Sequence, residues 1–424
     1  MRIVLACYGS RGDVEPCVAV GRELLGRGHD VRVAVPPDLV RLAERAGVSA
    51  VGCGPDLHTA MDVDFVLNFL ADFPRNLWNL GDLIREGRET QKLVGKWWGE
   101  MSRTLTSLAD GADLLFAGPT LWQCAANVAE YYDIPLATLH TFPIQVNGQL
   151  VPMVPAPLIR SAMTVLQWLG WPMGKKLEND QRRELGLPNA TGPSLRRITE
   201  RGALEIQAYD EVLFPGLAAE WAKWNGQRPF VGALTIESAT EVDDEVASWI
   251  AAGTPPIFFS FGSIPLDSAA DTLAMIGAAC AQLGERALVC SAGTDFSHVA
   301  HFEHVKIVDA VDYAAILPAC RTVVHHGGAG TVAAGLRAGV PTLILWRWPD
   351  QQIWGAAVKR LRVGTLRRFS TTTQQSLVDD LRTILSPQYV GRAREVATRM
   401  SKAAESAAAA ADYVESFVRL RHVG

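Results

Sequence analysis

The sequence predicts an α/β protein of two Rossmann-like domains, each built on a parallel sheet. Three observations carry that expectation. The chain has 424 residues, too many for one ordinary core, so two domains of about 200 residues each are expected. Apolar runs of strand length alternate with helical patterns in both halves, and a polar, turn-rich stretch separates them. Near the middle of the second half, an apolar strand ends in glycines and passes directly into a small-residue helix.

Taken in order, Ile3 to Tyr8 is the first strand. Val14, Cys17, Val18, Gly21, Leu24 and Leu25 then recur at helical spacing up to Gly26, and Val31 to Val35 is the next buried strand. The loop after the first strand lacks GxGxxG and presents Asp13 instead. A carboxylate at the amino end of a helix ordinarily caps it, and capping is the first role expected of Asp13.

From residue 60 to 110 apolar side chains recur at three-and-four spacing, among them Phe69, Phe73, Trp78, Trp97 and Trp98, which predicts mostly helical core. Adjacent residues on a helix point about 100° apart, so Trp97 and Trp98 are not expected to share one narrow core stripe. One of them is expected to line a binding cleft or to sit on a membrane surface. From Phe142 to Pro172, prolines at 143, 152, 155, 157 and 172 predict loops and short helices rather than one continuous helix. Asp62-Val63-Asp64 follows no strand signal, so its carboxylates read as solvated or helix-terminal and no metal is expected.

Pro215-Gly216, the turn Asn225 to Pro229 and the acidic stretch Glu237 to Glu245 mark the domain boundary, with Phe230-Val231-Gly232 starting the crossing. The expected division is residues 1–225 and 226–400, followed by a helical tail over 401–424. In the second half Ile257–Phe261, Ala287–Cys290 and Val305–Val308 read as strands, with a helix from about Asp267 to Leu283. Next comes His325-His326-Gly327-Gly328-Ala329-Gly330-Thr331, between the strand Thr322 to Val324 and the helix that starts at Val332. Unpaired N–H groups and the positive end of a helix dipole meet there, which makes an anion site. Gly328 and Gly330 let a diphosphate approach the main chain, and Thr331 and His326 can donate to its oxygens. After the next strand, Asp350 and Gln351 stand on the same edge of the sheet, where sugar hydroxyls would be bound.

The run HHGGAGTVAAGLRAGVPTL followed by DQQIWG resembles the donor-binding signature of GT-B glycosyltransferases, particularly bacterial antibiotic and sterol glycosyltransferases. GSRGDVEP, residues 9 to 16, resembles the amino-terminal loop of the same enzymes, more than 300 residues away and in the family's order. The first forty residues are further similar to mycobacterial glycosyltransferases that act on glycopeptidolipids. The resemblance implies two Rossmann-like domains facing each other across a cleft, the last helix crossing back to the first domain, and an inverting, metal-independent enzyme without cofactor. Its co-substrate would be a dTDP- or UDP-linked sugar.

Carried over residue by residue, Asp13 becomes the catalytic base. His326, Gly328, Gly330, Thr331 and Ser263 face the donor diphosphate, Ser291 and Val311 the base, and Asp350 and Gln351 the sugar. His325 would be structural. Ser10, Trp78, Trp97 and His140 fall on the acceptor side, with His140 a distant second choice as base. Sterol glucosyltransferases usually have Gly where this chain has Pro349, preceded here by Trp346 and Trp348. That approach suits a 6-deoxy sugar, rhamnose or 6-deoxytalose, carried by dTDP to a glycopeptidolipid or other lipid-linked or apolar acceptor. The alternatives are a UDP-glucose-dependent enzyme acting on a sterol or polyketide, and a sugar-nucleotide epimerase.

A formal charge of −5 and a pI of about 6.0 give no polycationic surface for nucleic acid. Seven cysteines without a CxxC pair read as buried thiols of a cytoplasmic protein. No run approaches the roughly 18 apolar residues of a membrane span. Peripheral contact with the inner face of the membrane stays open, although no basic amphipathic helix stands out in the sequence.

Overall fold

The computed structural model describes residues 1–56, 80–151, 154–224, 226–236, 241–262, 268–296, 298–299 and 302–423. The chain forms two compact units, one comprising Met1–Ala208, Leu217–Leu234 and Ala407–Gly424, the other Tyr209–Gly216 and Thr235–Ser406.

The first unit carries a six-stranded parallel sheet made of β1 (Arg2–Ala6), β2 (Asp30–Val35), β3 (Ser49–Gly52), β4 (Leu114–Ala117), β5 (Leu136–His140) and β6 (Leu204–Gln207), in the order β3-β2-β1-β4-β5-β6. The second unit repeats that order with β7 (Ile257–Ser260), β8 (Ala287–Cys290), β9 (Val305–Val308), β10 (Thr322–His325), β11 (Thr342–Trp346) and β12 (Gly364–Arg368), as β12-β11-β10-β7-β8-β9. Both sheets are doubly wound. Their central strands are buried along their whole length, as strands covered on both faces must be, and so they read as unbroken apolar runs.

The helices that matter for function are α1 (Arg11–Gly26), α2 (Leu80–Ala109), α3 (Trp122–Tyr132) and α4 (Ala156–Glu184) in the first unit, then α5 (Ala269–Leu283), α6 (Ala329–Arg337) and α7 (Pro349–Leu361) in the second. The last helix, α8 (Ala403–Val423), leaves the second unit and ends in the first. There Arg27 donates to Asp412 at 2.6 Å, the His29 ring pairs with Glu415 at 2.9 Å, and Arg421 donates to the Arg201 carbonyl at 2.9 Å. All seven cysteines are free and buried. Among the described residues, no helix is long and apolar enough to cross a membrane.

One local expectation is corrected. Residues 156–184 form one helix, α4, in spite of Pro157 and Pro172. Pro157 lies in the first turn, where no N–H is needed, and Pro172 lies on an exposed face where water can bind the carbonyl it leaves unpaired. Trp97 and Trp98 are both half-buried against the core of the first unit, whose surface is broad enough to take two neighbours of α2.

The point at which the chain passes between units also differs from a boundary at residue 225. Phe230 makes a parallel bridge with Gln207 that extends the edge of the first sheet. Beside it Arg228 donates to the fully buried Glu205 at 3.1 Å. Glu205 also accepts from Gln145 and Thr199, both at 2.6 Å, and the Arg228 guanidinium lies over the rings of Trp221 and Trp224. Burial raises the Glu205 pKa while Arg228 opposes the rise. This ion pair holds residues 217–234 to the first unit. The segment 209–216 is drawn into the second instead, where Tyr209, Phe214 and Trp354 form a ring cluster with centroids 5.4 to 6.1 Å apart.

Removing one partner of such a pair strands the other charge in the interior. Glu205→Ala is expected to destabilise the protein by about 3–5 kcal/mol, whereas the joint apolar replacement of Glu205 and Arg228 should cost far less. Urea unfolding of the two variants measures the difference.

Candidate active site

In a doubly wound sheet, ligands bind beyond the carboxyl ends of the strands where the winding changes direction. In the first unit that point lies between β1 and β4. The chain leaves β1 through Cys7, Tyr8 and Gly9 and enters α1 with Ser10 as N-cap. Asp13 is therefore not the N-cap but the third residue of the helix. Its Oδ2 reaches back to accept from the Ser10 backbone N–H at 2.8 Å and the Ser10 hydroxyl at 2.9 Å, the return half of a capping box. Gly9 makes room for it. With φ at +136°, a Cβ there would lie 2.4 Å from Asp13 Oδ2, so only glycine lets the carboxylate fold back over the turn.

The loop after β4 meets this turn. Gly118 donates to the Ala6 carbonyl at 2.7 Å, and the Thr120 hydroxyl donates to the Tyr8 carbonyl at 2.6 Å. Thr120 has φ of +67°, a strained conformation for a β-branched residue that its hydroxyl bond helps to hold. Sequence reading missed Thr120; the only local signal is the Gly118-Pro119 turn before it. His140 does not belong to this surface. It is fully buried at the end of β5, hydrogen-bonded to Thr138 at 2.9 Å and packed against Trp122, and burial lowers its pKa to about 3.

In the second unit the change of winding lies between β7 and β10, and β10 leads into the glycine-rich turn. His325 is fully buried and its Nδ1 accepts from the Gly327 N–H at 3.0 Å, so its proton sits on Nε2. His326 occupies a slot between two glycines. A Cβ on Gly262, with φ of +70°, would lie 2.7 Å from its Cε1, and a Cβ on Gly328 would lie 2.7 Å from its Nε2. Burial lowers the His326 pKa to about 4, with the Ser260 backbone opposing and the Arg347 charge adding to the fall. The ring is neutral at neutral pH, so it offers one N–H donor. Gly328 is the N-cap of α6 and supplies no side-chain cap, while a Cβ on Gly330 would meet nothing within 4 Å. Thr331 is half-exposed in the first turn of α6. His326, Gly328, Gly330 and Thr331 are thus brought together; Ser263 lies outside the described residues, as do Trp78 and Asp62 to Asp64.

At the end of β11, Trp346 and Trp348 are half-buried and Asp350 is exposed. Desolvation by neighbouring groups raises the Asp350 pKa, opposed by the N–H groups of Asp350 and Gln351. Gln351 is buried, and its Oε1 accepts from the N–H groups of Arg347 at 2.7 Å and Trp348 at 3.1 Å. Its carbonyl is thereby committed to the start of α7, which leaves its amide N–H groups for a ligand. Beyond β8, the Ser291 hydroxyl donates to Asp309 at 2.9 Å, and Val311 packs half-buried against the core.

The C-terminal domain description of erythromycin biosynthesis protein CIII-like proteins matches residues 273–420. A glycosyltransferase of Mycobacterium tuberculosis, named uncharacterized, is 56% identical over 422 residues, covering 99% of both chains. Among solved structures, the glycotransferase of kitacinnamycin covers 98% of each chain with a TM-score of 0.71 at 16% identity, and glycosyltransferase VinC in complex with dTDP covers 100% of each with a TM-score of 0.64 at 19% identity. The architecture is therefore that of the GT-B class. The chain belongs to the glycosyltransferases of this fold, and it is an enzyme of glycosyl transfer. The epimerase alternative falls with that membership.

His140 and His326 link this geometry to pH. Unfolded, both rings take up a proton below about 6.5; folded, they stay neutral down to about 3 and about 4. Protonation therefore favours the unfolded chain, and the stability present above pH 6.5 is lost as pH falls through that window, by up to about 1.4 kcal/mol per pH unit for each ring. Urea unfolding at about pH 7.5 and about pH 5 should show the loss, and His140→Gln should reduce it.

Proposed function

We propose that the enzyme moves a deoxyhexose, rhamnose or 6-deoxytalose, from its dTDP-linked donor to a hydroxyl of a glycopeptidolipid or related lipid-linked acceptor, with inversion and without a metal. The observation that carries this reading is the cradle at β10 and α6, where a neutral His326 and uncapped helix N–H groups converge beside an open glycine. The complex of VinC with dTDP supports a thymidine nucleotide, and the half-buried Trp346 and Trp348 support a sugar with a methyl in place of a hydroxymethyl group.

In this reading the acceptor oxygen attacks the anomeric carbon and the bond from that carbon to the diphosphate oxygen breaks. The diphosphate leaves with the electron pair. Asp13 accepts the hydroxyl proton, a contribution worth ~10²–10⁴-fold. The N–H groups of α6, the Thr331 hydroxyl and the His326 N–H take up the charge developing on the diphosphate, where one preorganised donor is worth about 3–4 kcal/mol. Asp350 and the free amide end of Gln351 hold sugar hydroxyls.

Calorimetric titration with dTDP and UDP tests the donor side. Tighter binding of dTDP is expected, with a loss of about tenfold or more in His326→Ala. Preference for UDP would move the reading to glucosyl transfer, and binding of neither would sink the cradle assignment. Asp13→Asn keeps an acceptor for the Ser10 N–H, so it should retain dTDP affinity and fold while transfer is abolished. Loss of both together would make Asp13 purely structural.

A further inference from the structure

Helix α4 presents an apolar face to solvent through the middle of its length. Leu158, Val165, Leu166, Leu169 and Met173 are 53% to 69% exposed, and their spacing sets them on one side of the helix. Between Ser161 and Gly174 there are fourteen residues without a charge, and from Ala156 to Leu177 the only charged residues are Arg160, Lys175 and Lys176. Lys175 and Lys176 are exposed at the end of the apolar stretch, next to a pair of tryptophans. The Trp168 and Trp171 rings pack edge to face at 5.6 Å, and the Lys175 ammonium lies 4.5 Å from the Trp171 ring centre.

The helix is fixed at both ends by polar contacts, so its middle does not depend on that face for its position. At its start, Arg160 donates to Glu220 at 3.0 Å, and Glu220 also accepts from the Gly148 N–H at 2.9 Å. Near its end, Arg182 donates to Glu130 and Asn127, Asn127 donates to Gln181, and Glu178 pairs with Arg197.

We infer that the exposed face of α4 docks on an anionic lipid surface, its apolar side chains entering the acyl boundary and Lys175 and Lys176 meeting the headgroups. The uncharged stretch is about 20 Å long at ~1.5 Å per residue, too short to span a hydrocarbon core of about 30 Å, so it lies in the interface. Lys176 falls on the same side of the helix as the leucines, where a long cationic side chain bridges apolar and aqueous layers. A second copy fits less well, because the apolar stretch itself carries no acidic group and two such faces would bring Lys175 and Lys176 of each against an uncharged surface. The inference deepens the reading of a lipid-linked acceptor and rests on it for its purpose, while its test does not require catalysis.

The full-length protein is sedimented with vesicles of phosphatidylcholine alone and of phosphatidylcholine mixed with phosphatidylglycerol. Binding to the anionic vesicles is expected, weakened by salt. The joint change Leu166→Ser and Leu169→Ser should lower it about tenfold or more. Lys175→Gln and Lys176→Gln should each lower it about fivefold. Because these positions are exposed, every variant should keep the parent's affinity for dTDP. Failure of the parent to bind anionic vesicles, or binding unchanged by the leucine substitutions, would overturn the inference. So would a self-associated protein that the leucine substitutions convert to monomer, since that would assign the face to a second copy. Intact dTDP binding alongside failed vesicle binding leaves the donor reading standing; the reverse result removes that reading and keeps the lipid surface.

Discussion

Helix amino termini are the constraint on which this enzyme's working surfaces depend. A parallel strand that turns into a helix within a few residues brings several backbone N–H groups to the carboxyl edge of the sheet, and each of them needs an acceptor. The helices that follow β1 and β11 supply their own. Asp13 reaches back to the start of α1, and Gln351 reaches back to the start of α7. At α6 the N-cap is Gly328, which has no side chain to offer. That uncapped turn is flanked by His326 and by the open side of Gly330. Capping chemistry thus distinguishes the starts of α1 and α7 from that of α6.

The same contrast explains the histidines. An imidazole beside a diphosphate would be a strong counter-ion if charged, but release of the product would then be opposed by the same charge. Enclosure between Gly262 and Gly328 keeps His326 neutral and fixes the plane of its ring. The adjacent His325 supports the turn from beneath by accepting the Gly327 N–H. Neither position tolerates a larger neighbour, because added Cβ atoms at Gly262 or Gly328 would fall inside van der Waals contact of the ring. The glycines of this motif therefore act as much on the histidine as on any ligand.

Much of this was legible in the sequence where the determining interactions are local. The strand runs, the glycine-rich turn and the buried cysteines all follow from apolar periodicity and from residues a few positions apart. What escaped depends on partners distant in the chain. The attachment of residues 217–234 to the first unit is decided by Arg228 finding Glu205, and that of 209–216 to the second by Tyr209 and Phe214 finding Trp354. The burial of His140 comes from its place at the end of an interior strand beside Trp122. Gln351 gave the pattern of a ligand-binding amide, yet its carbonyl is occupied by its own helix start. Prolines misled in α4 because their cost depends on which face of the helix they occupy, and that is known only after the helix has packed.

The rotation of α4 brings these threads together. Left to the hydrophobic effect, its exposed leucines and valine would turn inward, each by about 1.5–3 kcal/mol if fully buried. What opposes that turn is the polar clamp at either end. Rotating the helix would break Glu178 from Arg197 and Arg182 from Glu130, buried pairs whose breaking costs about 3–5 kcal/mol each because a charge is left without its partner, and would also release the more exposed Arg160 from Glu220. The Arg182 guanidinium also holds the Glu130 carboxyl below the usual range, so that pair stays ionised. Opposed terms of similar size mean that the outward apolar face persists only because charge pairing is directional and burial is not. An apolar core of the same volume could match the clamp in stability, but it would give the helix no reason to keep that face turned out.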